Sequence, residues 1–231
     1  MKPSKSIFIY KDRGYSKTVL CVPGWAMDGA IFSFLNLPFN YIIMDQVNPD
    51  SFLDDFRDYI RAMSLFPIPI LGFSLGGKLG IEYAKHFSEY VCSLILVGIR
   101  NVYPRPFLDT VGDQLQKNKS GFLIQFYKNC FFDSTHYTLF KNSLLKHYLT
   151  RFSLKYLMDT LSFLETPLKE TLNELQVPIT IFHGKEDKVA PCEEIHHLIP
   201  KKSNVNSIIL DKCGHFPFFD KRIKNLMMRQ I

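Results

Sequence analysis

Cysteine is sparse and unpatterned in this chain. Cys21, Cys92, Cys130, Cys192 and Cys213 stand singly among 231 residues, with no C-x-x-C spacing. An odd, dispersed set argues against a disulfide framework or a zinc site and predicts reduced, structural thiols in a cytoplasmic protein. Long apolar runs are missing too, since none approaches the ~18 residues of a membrane span. The segment Met1–Tyr10 has basic residues but only a short β-like apolar stretch, so it does not read as a signal peptide. No repeat, low-complexity tract or linker divides the chain, which predicts one domain over residues 1–231. With 46% hydrophobic and 22% charged residues, the composition is that of a globular protein able to build a core.

Acidic residues are nearly absent from one stretch. Between Gln114 and Met158 lie seven basic residues, Lys117, Lys119, Lys128, Lys141, Lys146, Arg151 and Lys155, against Asp133 alone. That segment accounts for the entire net charge of +6. The excess is therefore a localised basic feature on an otherwise neutral chain. No recognised motif accompanies it, which makes nucleic-acid binding the weaker reading.

What is present is an alternation of short apolar runs with helical patterns. Ser6–Tyr10, Thr18–Val22, Tyr41–Met44, Pro69–Phe73 and Val91–Val97 read as strands, and Asp50–Leu65 and Leu75–Phe87 as helices. Strand-like runs return at Val177–Phe182 and Asn206–Leu210, before a closing helix at Lys221–Gln230. Alternation predicts an α/β fold, a mostly parallel central sheet flanked by helices. Residues 101–174 hold only helical patterns rich in Phe, Leu, Tyr and Lys, and predict an α-helical insertion between two strands of that sheet.

Three strand ends carry chemistry. Gly72-Phe73-Ser74-Leu75-Gly76 is a G-x-S-x-G at a strand-to-helix turn, where a serine hydroxyl is thrust out among small neighbours. Asp187 follows the Val177–Phe182 strand, and His215 lies in the Gly214-His215-Phe216-Pro217 loop after the next one. A serine needs a base to take its proton and an acid to orient that base, and the order Ser74, Asp187, His215 supplies both. Asp45 reads as a loop or helix-entry residue, Asp211 as a strand-end turn, His183 as structural, and His196 and His197 as solvated on a helix.

These motifs resemble the α/β-hydrolase family over essentially the whole chain. Within it, Val22-Pro23-Gly24-Trp25-Ala26-Met27-Asp28, Gly72-Phe73-Ser74-Leu75-Gly76-Gly77 and Gly214-His215-Phe216-Pro217-Phe218 resemble segments of the biotin-pathway pimeloyl-[acyl-carrier protein] methyl ester esterases. Pro23 stands where many relatives have histidine. The resemblance implies a serine esterase: Ser74 as nucleophile, His215 as base, Asp187 as the orienting acid, and backbone N–H groups of Trp25 and Leu75 as the oxyanion hole. It implies no metal and no organic cofactor. It also makes residues 101–174 a lid, whose Lys117, Lys119, Arg151 and Lys155 would hold an acidic acyl-carrier protein, Arg151 and Lys155 sharing one helix face. Two other readings stand beside it: a general short-acyl esterase or thioesterase without a carrier, and a non-catalytic binding module on the same fold.

Overall fold

Thr18–Val22 (β2), Ile68–Phe73 (β4) and Val91–Val97 (β5) are apolar apart from Thr18 and Ser93 because they lie in the middle of a sheet covered on both faces. The computed structural model describes residues 5–48 and 50–230, so Met1–Ser4, the start of the basic N-terminal segment, lies outside the described residues. Seven strands are ordered β1-β3-β2-β4-β5-β6-β7, with β1 at Ile7–Lys11, β3 at Asn40–Gln46, β6 at Ile179–Gly184 and β7 at Val205–Leu210. Every pairing is parallel except that of β1 with β3. Helices α1 (Phe52–Met63), α2 (Leu75–His86), α8 (Cys192–Leu198) and α9 (Lys221–Met227) accompany the strands.

The strand order creates the site. From β2 the chain moves outward to β3, then returns across β2 to β4 and proceeds the other way. The order therefore reverses between β2 and β4, and a crevice opens beyond the carboxyl ends of those two strands. The loop Pro23–Asp28 leaves β2 at that point and Ser74 leaves β4 beside it.

Between β5 and β6 the chain is helical: α3 (Arg105–Asn129, with non-helical angles at Asn118), α4 (Ser134–Phe140), a π-helical turn at Lys141–Leu145, α5 (Lys146–Arg151), α6 (Leu154–Leu161), a 3₁₀ turn at Ser162–Glu165 and α7 (Lys169–Glu174). β5 and β6 are hydrogen-bonded neighbours, so this excursion leaves and re-enters the sheet at one place. Its inner face is aromatic, with Tyr127, Phe140, Tyr148 and Phe152 buried. Lys78 of α2 pins its far end to the core, donating to the carbonyls of Leu164 and Thr166. Burial lowers that amine to a pKa of about 8.

Candidate active site

Ser74 is held in a conformation few residues adopt. Its φ of 52° and ψ of −114° place it in the left-handed half of backbone space. Such strain persists only where surrounding bonds impose it. Here the Ser74 N–H donates to the Val97 carbonyl at 2.8 Å, and the Ser74 carbonyl accepts from Gly77 and Lys78 at 2.9 and 3.3 Å. The turn is also sterically exclusive: a Cβ on Gly76 would stand 2.0 Å from the Val22 carbonyl oxygen, so α2 can start against the end of β2 only with glycine there. The Leu75 N–H opens α2, where first-turn amides have no partner within the helix.

Asp187 and His215 arrive from the next two strand ends. His215 Nδ1 lies 2.7 Å from Asp187 Oδ2, and the two residues are 2% and 5% exposed. Asp187 Oδ1 accepts the N–H groups of Val189 and Ala190, each at 2.8 Å, which fixes the carboxylate and leaves Oδ2 for the imidazole. The imidazole packs against Phe73, ring centroids 5.0 Å apart. Gly98, at φ 60°, gives it room: a Cβ there would stand 3.0 Å from His215 Nδ1. Phe73 and Gly98 adjoin Ser74 and its hydrogen-bond partner Val97, so the imidazole is lodged against the serine turn.

His183 braces the same loop. Its Nε2 donates to the Ala190 carbonyl at 2.8 Å and stands 3.6 Å from Asp187 Oδ2. Burial lowers its pKa, outweighing the nearby carboxylate, so the ring stays neutral in a structural place. The five cysteines are unpaired, and four of them are buried. Burial raises the Cys21 thiol and pushes that of Cys213 up to about 12, which keeps both protonated.

A sequence profile of the alpha/beta hydrolase fold matches residues 38–222. The chain belongs to the α/β-hydrolase family. It is 22% identical to the AB hydrolase superfamily protein YisY of Bacillus subtilis (strain 168), over 93% of this chain and 90% of that protein. It is 26% identical to a pimeloyl-[acyl-carrier protein] methyl ester esterase of Hamiltonella defensa, over 64% of this chain and 62% of that protein, under two thirds of its length. A solved esterase from Exiguobacterium antarcticum superposes with a TM-score of 0.84 at 20% identity, covering 97% of this chain and 95% of that one.

In this α/β hydrolase, Ser74 opens onto a cavity of about 580 Å³ between the sheet edge and the helical segment. Trp25, Leu108, Phe122, Phe126 and Leu161 make its wall mainly apolar. Its charged lining, among the described residues, is Lys117, Lys188 and Arg100, with no carboxylate. Arg100 is neutralised by Glu194 in a two-pronged pair at 2.6 and 2.8 Å. The cavity therefore presents net positive charge to whatever enters it. Lys188, next to Asp187, was detectable from its place in the acid loop, but sequence reasoning passed over it.

The basic segment differs from expectation. Arg151 faces inward: Nη2 is 2.5 Å from Asp45 Oδ2 and Nε is 3.1 Å from Asp28 Oδ2. Its charge is spent inside the protein, so it is not placed to hold a carrier. Asp45 correspondingly belongs to β3, not to a loop or helix entry. Arg151 and Lys155 share no helix face, because Phe152 is extended (φ −112°, ψ 135°) and Ser153 caps a new helix. Lys155 pairs with Asp159 one turn on, and Lys119 donates to the Phe152 carbonyl at 2.9 Å. Asp211 is in a strand-end turn paired with Lys185, and His196 and His197 are exposed on α8, as expected.

Asp28, the last residue of the loop quoted for the resemblance, was given no role from the sequence. It is 3% exposed, and its carboxylate meets His147 Nε2 at 2.6 Å, the Ala30 N–H at 3.0 Å, the Tyr148 hydroxyl at 3.1 Å and Arg151. Burial alone would raise its pKa, but the hydrogen bonds from His147, Ala30 and Arg151 together outweigh burial and hold it below the usual carboxylate range. Its side-chain partners are more than a hundred residues away, and no local pattern signals them.

Proposed function

We propose that this hydrolase is a serine carboxylesterase, and that its substrate is the methyl ester of pimeloyl-ACP, which it converts to pimeloyl-ACP and methanol. The observation that carries the reading is the buried 2.7 Å contact between His215 and Asp187, its imidazole packed on Phe73 next to a strained serine that faces an apolar cavity.

Ser74 Oγ attacks the ester carbonyl as His215 Nε2 takes its proton. Asp187, accepting from Nδ1, fixes the ring so that Nε2 faces the serine, and it stabilises the imidazolium. The oxyanion is met by the N–H groups of Leu75 and Trp25, each worth about 3–4 kcal/mol in the transition state. Collapse breaks the bond to the methoxy oxygen, which leaves as methanol with the proton from His215. Water, deprotonated by the same imidazole, then hydrolyses the acyl-enzyme and restores Ser74. The helical segment acts as a lid whose Phe122, Phe126 and Leu161 receive the acyl chain. Lys117 and Lys188 at the cavity suit an anionic group at the far end, and the exposed Lys128, Lys141 and Lys146 offer an acidic carrier long-range attraction. The name of the Hamiltonella relative is consistent with this substrate.

The test is turnover of methyl-pimeloyl-ACP by purified protein, which Ser74→Ala abolishes without loss of fold. Lys117→Gln with Lys188→Gln raises KM for the carrier-linked ester, and the effect shrinks with added salt. Equal turnover of free methyl pimelate and the carrier-linked ester, insensitive to both substitutions, would favour a general short-acyl esterase.

A further inference from the structure

The loop Pro23–Asp28, which the esterase reading makes one wall of the oxyanion hole, does not hold its shape alone. It makes a four-residue turn closed by the Met27 N–H on the Gly24 carbonyl at 3.2 Å. The third residue of that turn, Ala26, has φ 58°, a position that favours glycine or asparagine. A side-chain-bearing residue persists there only if the surroundings impose it. The surroundings are the helical segment, and three of its helices grip successive parts of the loop.

From α3, the Tyr127 hydroxyl donates to the Ala26 carbonyl at 2.6 Å. From α6, the Leu157 carbonyl accepts the Trp25 indole N–H at 3.0 Å. From α5, His147, Tyr148 and Arg151 close on the Asp28 carboxylate. Tyr127 is fully buried, and burial raises its phenol well above the ordinary value, so the group stays a neutral donor. Its bond falls on the strained residue itself, directly after Trp25 in the chain.

We infer that Tyr127 is a positioning residue for the oxyanion hole: its hydroxyl holds the Ala26 turn, and thereby aims the Trp25 N–H at the developing oxyanion. Docking of the helical segment and completion of the hole are then one event. The inference rests on the esterase reading and adds a role for a residue that touches neither substrate nor nucleophile.

Tyr127→Phe removes the hydroxyl and keeps the ring. It is expected to lower kcat roughly 10- to 100-fold with KM within about twofold, as misplacement of a transition-state donor does. Affinity for an alkylboronic acid, whose tetrahedral adduct on Ser74 occupies the hole, falls in parallel. Loop amides, Met27 foremost, exchange hydrogen faster in the variant. Tyr83→Phe is the control, because its buried hydroxyl has no hydrogen-bond partner among the described residues and packs away from the loop, and it leaves kcat at the wild-type value. An active wild type with Tyr127→Phe equal to it in kcat and boronate affinity would overturn the positioning role alone. A wild type that turns over no ester would overturn the esterase reading and this role together. A variant that lost stability and activity alike, yet kept wild-type boronate affinity, would show Tyr127 to be merely structural.

Discussion

Replacing Arg151 by methionine keeps the length of the side chain and removes its charge, leaving Asp28 and Asp45 without their shared cation. Removing one partner of a fully buried pair costs about 3–5 kcal/mol, because the remaining charge is desolvated and unmatched. Two features reduce that here. The Arg151 side chain is 26% exposed and that of Asp45 17%, so water partly replaces the lost bond. Asp28 also keeps His147, Tyr148 and the Ala30 N–H. The expected loss is therefore about 2–3 kcal/mol, in the range of a single hydrogen bond to a charged group and below what two fully buried ones would forfeit. In a domain of this size that lowers Tm by about 4–12 °C. Urea unfolding at neutral pH measures it, and a double-mutant cycle with Asp45→Asn isolates the direct pair. A loss below about 0.5 kcal/mol would mark an ordinary surface ion pair and refute the argument. A raised KM for carrier-linked ester with unchanged stability would refute it differently, by returning Arg151 to the substrate.

Two further outcomes follow from the packing around α2. Gly76→Ala drives a Cβ into the Val22 carbonyl and must displace the serine turn, so ester turnover falls by about 100-fold or more, whereas Gly80→Ala, which meets the Cγ2 methyl of Ile70 at 3.1 Å, stays within a few fold in a parallel kinetic assay. Lys78 titrates near 8 when folded, below the ordinary lysine value of 10.5, so between those values the unfolded chain binds the extra proton. The stability of the wild type relative to Lys78→Met therefore rises across that window, by at most about 3 kcal/mol, is fully present above it, and is lost as pH falls through 8. Urea midpoints of the two proteins that stay a constant distance apart across the window would contradict this.

The parts that were legible in the sequence are those that depend on neighbours along the chain. Thr18–Val22 and Val91–Val97 announce buried parallel strands because both faces are covered, and the Gly72–Gly76 turn is specified by five consecutive residues. Asp187 and His215 could be found because strand ends in this topology converge on one edge. Arg151 shows where such reasoning stops. Counting charges located an excess between Gln114 and Met158, but charge counting says nothing about partners 106 and 123 residues away. The helix face drawn through Arg151 and Lys155 failed for a local reason, since Ser153 prefers to cap a helix and Phe152 to fill the core. Asp28 carried no signal because its burial exists only once α5 has docked.

Trp25 is the only tryptophan in the chain, and it sits where the loop, the helical segment and the cavity meet. Its indole N–H is bonded to Leu157, and its ring meets Phe122 and Phe126 edge-on at 6.3 and 5.3 Å. Indole emission from the unlabelled protein is therefore a single-site signal with no second source to subtract. Its wavelength reads whether the helical segment is seated on the loop, its intensity responds to an acyl chain sliding past Phe126, and stopped-flow excitation of the native chain can time both within one turnover.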